Sequence, residues 1–171
     1  MRRNDCGSRT RGEIRDFGET NEQEQKKEIE GARDAKDDVL TGREAIEGMS
    51  GMETLEGVQA AMDSLEQAEA CSVGEFNEES DAFRETEGES ERNEQDLNQR
   101  AEAGKQDSEN LDTAARQMHS DNARGPVEQA EAQTQEDVAF LESEEQGSRR
   151  VRETNAQELS ELERTVTGSG G

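Results

Sequence analysis

Tryptophan and tyrosine are missing from these 171 residues, phenylalanine occurs four times, cysteine twice, and proline and histidine once each. Each shortage excludes something. Leu, Ile, Val and Phe together make up about 13% of the chain, below the ~20% under which a highly charged sequence ordinarily fails to fold alone. A net charge of -24 and a mean hydropathy of -1.25 push the same way, because folding must offset the entropy of ordering the chain by burying apolar surface. Cys6 and Cys71 lie far apart without CxxC spacing, so they make neither a disulfide framework nor a zinc site.

Catalysis needs a nucleophile or base held by an orienting group in a shaped pocket. One His, two Cys and no Tyr leave little to build one, and the chain reads as non-enzymatic, without cofactor or metal. Neither GxxxxGK[ST] nor GxGxxG occurs. Ser120–Glu131 has the length of a calcium loop, but Arg124 stands fifth, where a ligand oxygen is required, and Pro126 follows Gly125. His119 reads as a surface residue near a helix C-terminus. No run approaches the ~20 apolar residues of a membrane span, and Met1 to Thr20 lacks the apolar centre of a secretory signal. The expected location is cytoplasmic, or outside the cell by export without a cleaved signal peptide.

What the chain does have is Glu, Gln, Ala and Arg, residues of high helix propensity, with few β-branched ones. The expected fold is all-α: an elongated bundle of three or four long amphipathic helices, partly coiled-coil-like, with flexible termini. Forty-four acidic against 20 basic groups repel phosphate backbones and anionic lipids, which argues against nucleic acid and membrane. Other protein chains remain as partners, basic surfaces included. Arg2, Arg3, Arg9, Arg11 and Arg15 face only Asp5 and Glu13, so residues 1–19 read as a flexible basic arm.

Helices are predicted over about 20–47, 52–70, 75–123 and 126–166, with a Gly/Ser tail over 167–171. Thr20 with Gln23, Ser50 with Glu53 and Ser72 with Glu75 fit capping boxes. Ala32, Val39 and Ile46 recur at sevens, with Ala35 and Met49 beside them. Phe76, Phe83, Leu97, Leu111 and Met118 share one heptad register, on which Ser90 and Gly104 stand as gaps. The polar run from Thr86 to Glu94 is where that helix is expected to break or to stand fully in solvent, and Gly125-Pro126 is the clearest boundary.

The strongest apolar stripe runs through Met52, Leu55, Val58, Met62 and Leu65, and Phe76 and Phe83 follow on the next predicted helix. These seven are the expected protein-interaction residues, and Leu55→Asp or Leu65→Asp is expected to abolish assembly or folding. The sequence thus predicts a structural, adaptor or assembly protein acting through helix-helix contacts, by self-association or in a hetero-complex. Two alternatives remain: a leaderless secreted helical protein of a specialised export system, and an acidic mimic or chaperone that occupies the basic surface of a nucleic-acid-binding protein.

Overall fold

The structure, a computed structural model, describes residues 9–52 and 54–168. They form α1 (Arg11–Gly48), α2 (Val58–Gln117) and α3 (Asp121–Gly168), packed against one another, with no strand among the described residues. The all-α bundle expected from composition is therefore present, with three helices.

Helix boundaries differ from the sequence expectation, each for a local reason. α1 starts nine residues before the expected Thr20, because Thr10 is the working cap. Its Oγ1 accepts the Glu13 amide at 3.1 Å, while Glu13 accepts the Thr10 amide at 3.3 Å, a reciprocal pair that satisfies two otherwise orphaned donors. Arg11–Glu19, expected in a flexible arm, are thus helical; residues 1–8 of that arm lie outside the described residues. The boxes at Thr20 and Ser72 fall inside helices, and the one at Ser50 involves Glu53, which is not described.

The predicted helices over 52–70 and 75–123 are one helix, α2, and the turn expected at Cys71–Gly74 is absent. Between α1 and α2 the chain instead makes successive turns, closed by Met49 to Ile46, Met52 to Met49 and Leu55 to Met52 backbone bonds. Gly51 and Gly57 take φ of 90° and 83°, which any side chain would resist. α3 begins at Asp121, five residues before the expected 126, and runs through Pro126. Thr167 and Gly168 close it; the rest of the expected tail lies outside the described residues.

Buried positions follow a three-four spacing. α1 buries Ile14, Asn21, Gln25, Ala32, Ala35 and Val39, and α2 buries Met62, Phe76, Phe83, Ser90 and Leu97 at multiples of seven. The contacts group into two compact units, each drawing a segment from every helix: the chain up to Thr20 with Glu89–Val151, and Asn21–Gly88 with the chain from Arg152.

The second of these units holds an apolar cluster in which Ile29, Ala32, Phe76, Phe83, Leu159 and Leu162 meet. Each large side chain taken fully from water there contributes about 1.5–3 kcal/mol. Beside the cluster, a hydrogen-bond chain links all three helices. Asn155 Nδ2 donates to Gln25 Oε1 at 2.9 Å, Gln25 Nε2 to Asn21 Oδ1 at 2.5 Å, and Asn21 Nδ2 to the Thr86 carbonyl at 3.2 Å. Thr86 in turn donates to Glu28 at 2.7 Å. α1 and α2 run antiparallel here, as Arg43 with Glu69 and Asn21 with Thr86 require, while Arg33 with Glu158 sets α1 parallel to α3.

In the first unit the polar run of α2 is core, not a break. Ser90 is 1% exposed and donates to Glu94 at 2.9 Å; Ser148 of α3 donates to the same carboxylate at 3.2 Å. Two hydroxyls on Oε2 and the Arg149 guanidinium 4.0 Å from Oε1 thus share the burial of a carboxylate that would otherwise cost several kcal/mol to desolvate. Leu97, Ala101 and Val138 supply the apolar part.

Candidate functional site

One concavity of the first unit lies where the N-terminal turn of α1 meets α2 and α3. It is a cleft of about 660 Å³. Its apolar surface comes from Ile14, Leu111, Ala130, Val138, Phe140 and Leu141, and its polar rim from Arg9, Arg11, Arg100, Asp107 and Asp137. The 3.6-residue repeat accounts for the lining: Ala103, Asp107 and Leu111 recur along one face of α2, as do Ala130, Thr134 and Val138 along one face of α3.

The rim arginines are held by this chain's own acids. Arg9 Nη2 donates to Asn93 Oδ1 at 2.7 Å and Asp96 Oδ2 at 2.8 Å, and Arg100 Nε reaches the same Asp96 oxygen at 3.0 Å. Arg11 binds Asp137. Guanidinium carbons of Arg11 and Arg15 stand 5.2 and 5.6 Å from the Phe140 ring centre, and that of Arg9 5.5 Å from Phe17, within cation-π range. Three arginines expected in a free basic arm are thus engaged within one unit. Lys105 bridges Glu142 at 2.8 Å and Glu102 at 3.2 Å, and these hydrogen bonds, that to Glu142 foremost, raise its pKa above the ordinary 10.5.

Where α1 ends, the cleft opens. Arg11, the first helical residue, lies level with Asp137 through its ion pair. α2 and α3 continue past that level as a two-helix hairpin. Gln135 of α3 donates to Ser108 of α2 at 3.3 Å, and Arg124 donates to the Met118 carbonyl at 2.6 Å. Arg9, Arg11 and Ile14 line the cleft together with Ala130 and Thr134, and beyond the level of the Arg11–Asp137 pair the described helices are α2 and α3. Leu111, Met118 and Val127 remain half-buried there, and Ala130 is exposed.

The seven residues singled out by sequence fall in different places. Met52 and Leu55 precede α2 and are 40% and 56% exposed. Of the two outcomes expected for Leu55→Asp, loss of assembly or of folding, an exposed side chain bears on the first. Val58 and Leu65 are half-buried and Met62 is buried, whereas Phe76 and Phe83 belong to the cluster of the second unit. Leu111 was legible as a heptad position and Arg9 and Arg11 as part of the basic arm, but not their meeting in one cleft; Ile14 could have been found by stepping back in sevens from Met49 and Ala35 through Asn21.

The cleft offers guanidiniums, carboxylates and the Thr134 hydroxyl around an apolar floor, an arrangement suited to gripping an amphipathic surface. Among the described residues no group of three or more His, Cys, Asp or Glu could hold a metal ion, and no helix is long and apolar enough to cross a membrane. No protein-family model, no curated protein and no solved structure matches the chain, so the reading of the cleft rests on its own geometry.

Proposed function

We propose that this chain is a non-enzymatic binding scaffold that acts through helix-helix contacts with other protein in a larger complex. The observation that carries the reading is the α2–α3 hairpin of the first unit, which keeps two helical walls after the third has ended. A helix pair buries less apolar surface than a triplet, so a helix from a partner would gain at this place what α1 no longer supplies. The exposed Met52 and Leu55 offer a second, smaller apolar contact.

Purification from the native source, with the mass of the particle and of its co-eluting chains measured, tests the proposal. A particle well above 18.9 kDa that persists at physiological salt is expected. A solitary chain that melts cooperatively as a compact monomer would contradict it. An acidic mimic of nucleic acid would differ in one respect: its complex should dissolve steeply between low and physiological salt, because exposed charge pairs are screened while buried apolar contacts are not.

A further inference from the structure

The opening of α1 is held to the first unit by charge more than by apolar contact. Across residues 9–20, all of them described, Ile14 is the one buried side chain. Three arginines add polar ties. Arg9 donates to Asn93 and Asp96 of α2 at 2.7 and 2.8 Å, Arg11 Nε donates to Asp137 of α3 at 3.2 Å, and Arg11 and Arg15 face the Phe140 ring. Arg11 and Asp137 are 47% and 51% exposed, so water and salt reach the pair. Farther along, the same helix is held otherwise, with Ile29, Ala32, Ala35 and Val39 all buried.

Local propensity works in the same direction. Gly18 sits inside α1, where it lowers the helical population about fourfold relative to Ala. Packing does not demand it: an added Cβ would come no nearer than 3.6 Å to Glu144 Oε2, an ordinary contact. At Gly31 an added Cβ would lie 2.7 Å from Glu79 Cδ, so that glycine does make room for a neighbour. Past Thr20, where the contacts of α1 pass from the first unit to the second, the next buried side chains are the polar Asn21 and Gln25. We propose that residues 9–20 are an ionic strap, docked on α2 and α3 of the first unit by its arginines and released by local unfolding as ionic strength rises, while α1 from Ile29 onward stays in place. Release takes Arg9, Arg11 and Ile14 off the cleft and uncovers Val138 and Phe140, which line it with them. The strap governs when the cleft is open, whatever fills it, and so stands apart from the scaffold reading.

Hydrogen exchange of the full-length chain at low and high sodium chloride tests this. The amides to follow run from Ile14, whose N–H bonds the Thr10 carbonyl at 3.0 Å, to Thr20. In low salt they should exchange at least about tenfold faster than those from Ile29 to Val39. Raising salt from about 50 to about 500 mM should speed them about threefold or more. The amides from Ile29 to Val39 should hold or slow, because screening relieves the self-repulsion of a chain of net charge -24. Arg11→Gln should reproduce the high-salt rates at low salt and remove most of the salt response, and Gly18→Ala should slow the strap about fourfold. Unchanged exchange from Ile29 to Val39 in both variants shows that the fold is in place. Equal protection of the two stretches, or a salt response of the same sign in both, would overturn the strap and make residues 9–20 a fixed part of the bundle. Fast exchange that ignores both salt and Arg11→Gln would overturn it in favour of ordinary fraying of a helix end.

Discussion

Gly104 and Gly147 interrupt α2 and α3 at the same nominal cost in helix propensity, about 1 kcal/mol each relative to Ala. Their surroundings differ. A Cβ on Gly104 would come within 2.6 Å of Val138 Cγ2, while one on Gly147 would meet nothing within 4 Å. Val138 is β-branched and nearly fixed at χ1, so it cannot step aside cheaply. Gly147→Ala should raise stability by about 0.5–1 kcal/mol in urea denaturation. Gly104→Ala should lower it by about 1 kcal/mol or more, and Val138→Ala in the same chain should reverse most of the further loss. A gain from Gly104→Ala as large as that from Gly147→Ala would mean that the two helices do not approach closely there. The heptad register that passes through Ser90 and Gly104 was legible in the sequence; why it tolerates a hydroxyl and a bare α-carbon was not. Ser90 fits because Glu94 and Ser148 complete its hydrogen bonds, and Gly104 because Val138 fills its space. Such reasons lie in another helix, out of reach of any reading along one strand of sequence.

Whole elements were legible in type and less so at their ends. Composition and seven-residue spacing identify helices, but the starts at Arg11 and Asp121 depend on which of several Ser and Thr residues caps, and Glu is too abundant for the pattern to choose. Pro126 misled in the other direction. It stands at the sixth residue of α3, where its missing N–H leaves the Asn122 carbonyl without the usual helical partner. Pro126→Ala should therefore stabilise the hairpin by about 1–3 kcal/mol, read as a higher urea midpoint; an unchanged or lower midpoint would place the helix start after Pro126. Lys105 provides a check between elements, because its bond to Glu142 joins α2 to α3. Its pKa is raised on folding, so the stabilisation is complete below 10.5 and fades as pH rises through the higher folded value. Lys105→Met should be less stable than the parent at neutral pH, and the gap should close well above 10.5; a gap that persists there would exclude the charge as its source.

At the scale of the molecule, a net charge of -24 opposes any compact state, and screening should relieve it. Little apolar surface works against that repulsion, and much of the second unit's share sits in the cluster around Phe83. Completion of a meagre core by other protein is an expectation of the sequence and stands here as a proposal. The sequence drew attention to Met52–Leu65, because apolar spacing is visible along a chain. The level at which one helix begins beside two others is not visible there: among the described helices, α1 begins at Arg11, while α2 and α3 run on past that level.

Hydrogen exchange of the full-length chain, alone and in the particle purified from its native source, addresses the proposal most directly. Amides of α2 from Ser108 and of α3 up to Thr134 should exchange far faster in the free chain than those around Phe83 and Leu159, since two helical walls protect less than three. In the native particle, exchange should slow selectively in that hairpin. Strong protection of the hairpin in the free chain, with no further change in the particle, would contradict the account.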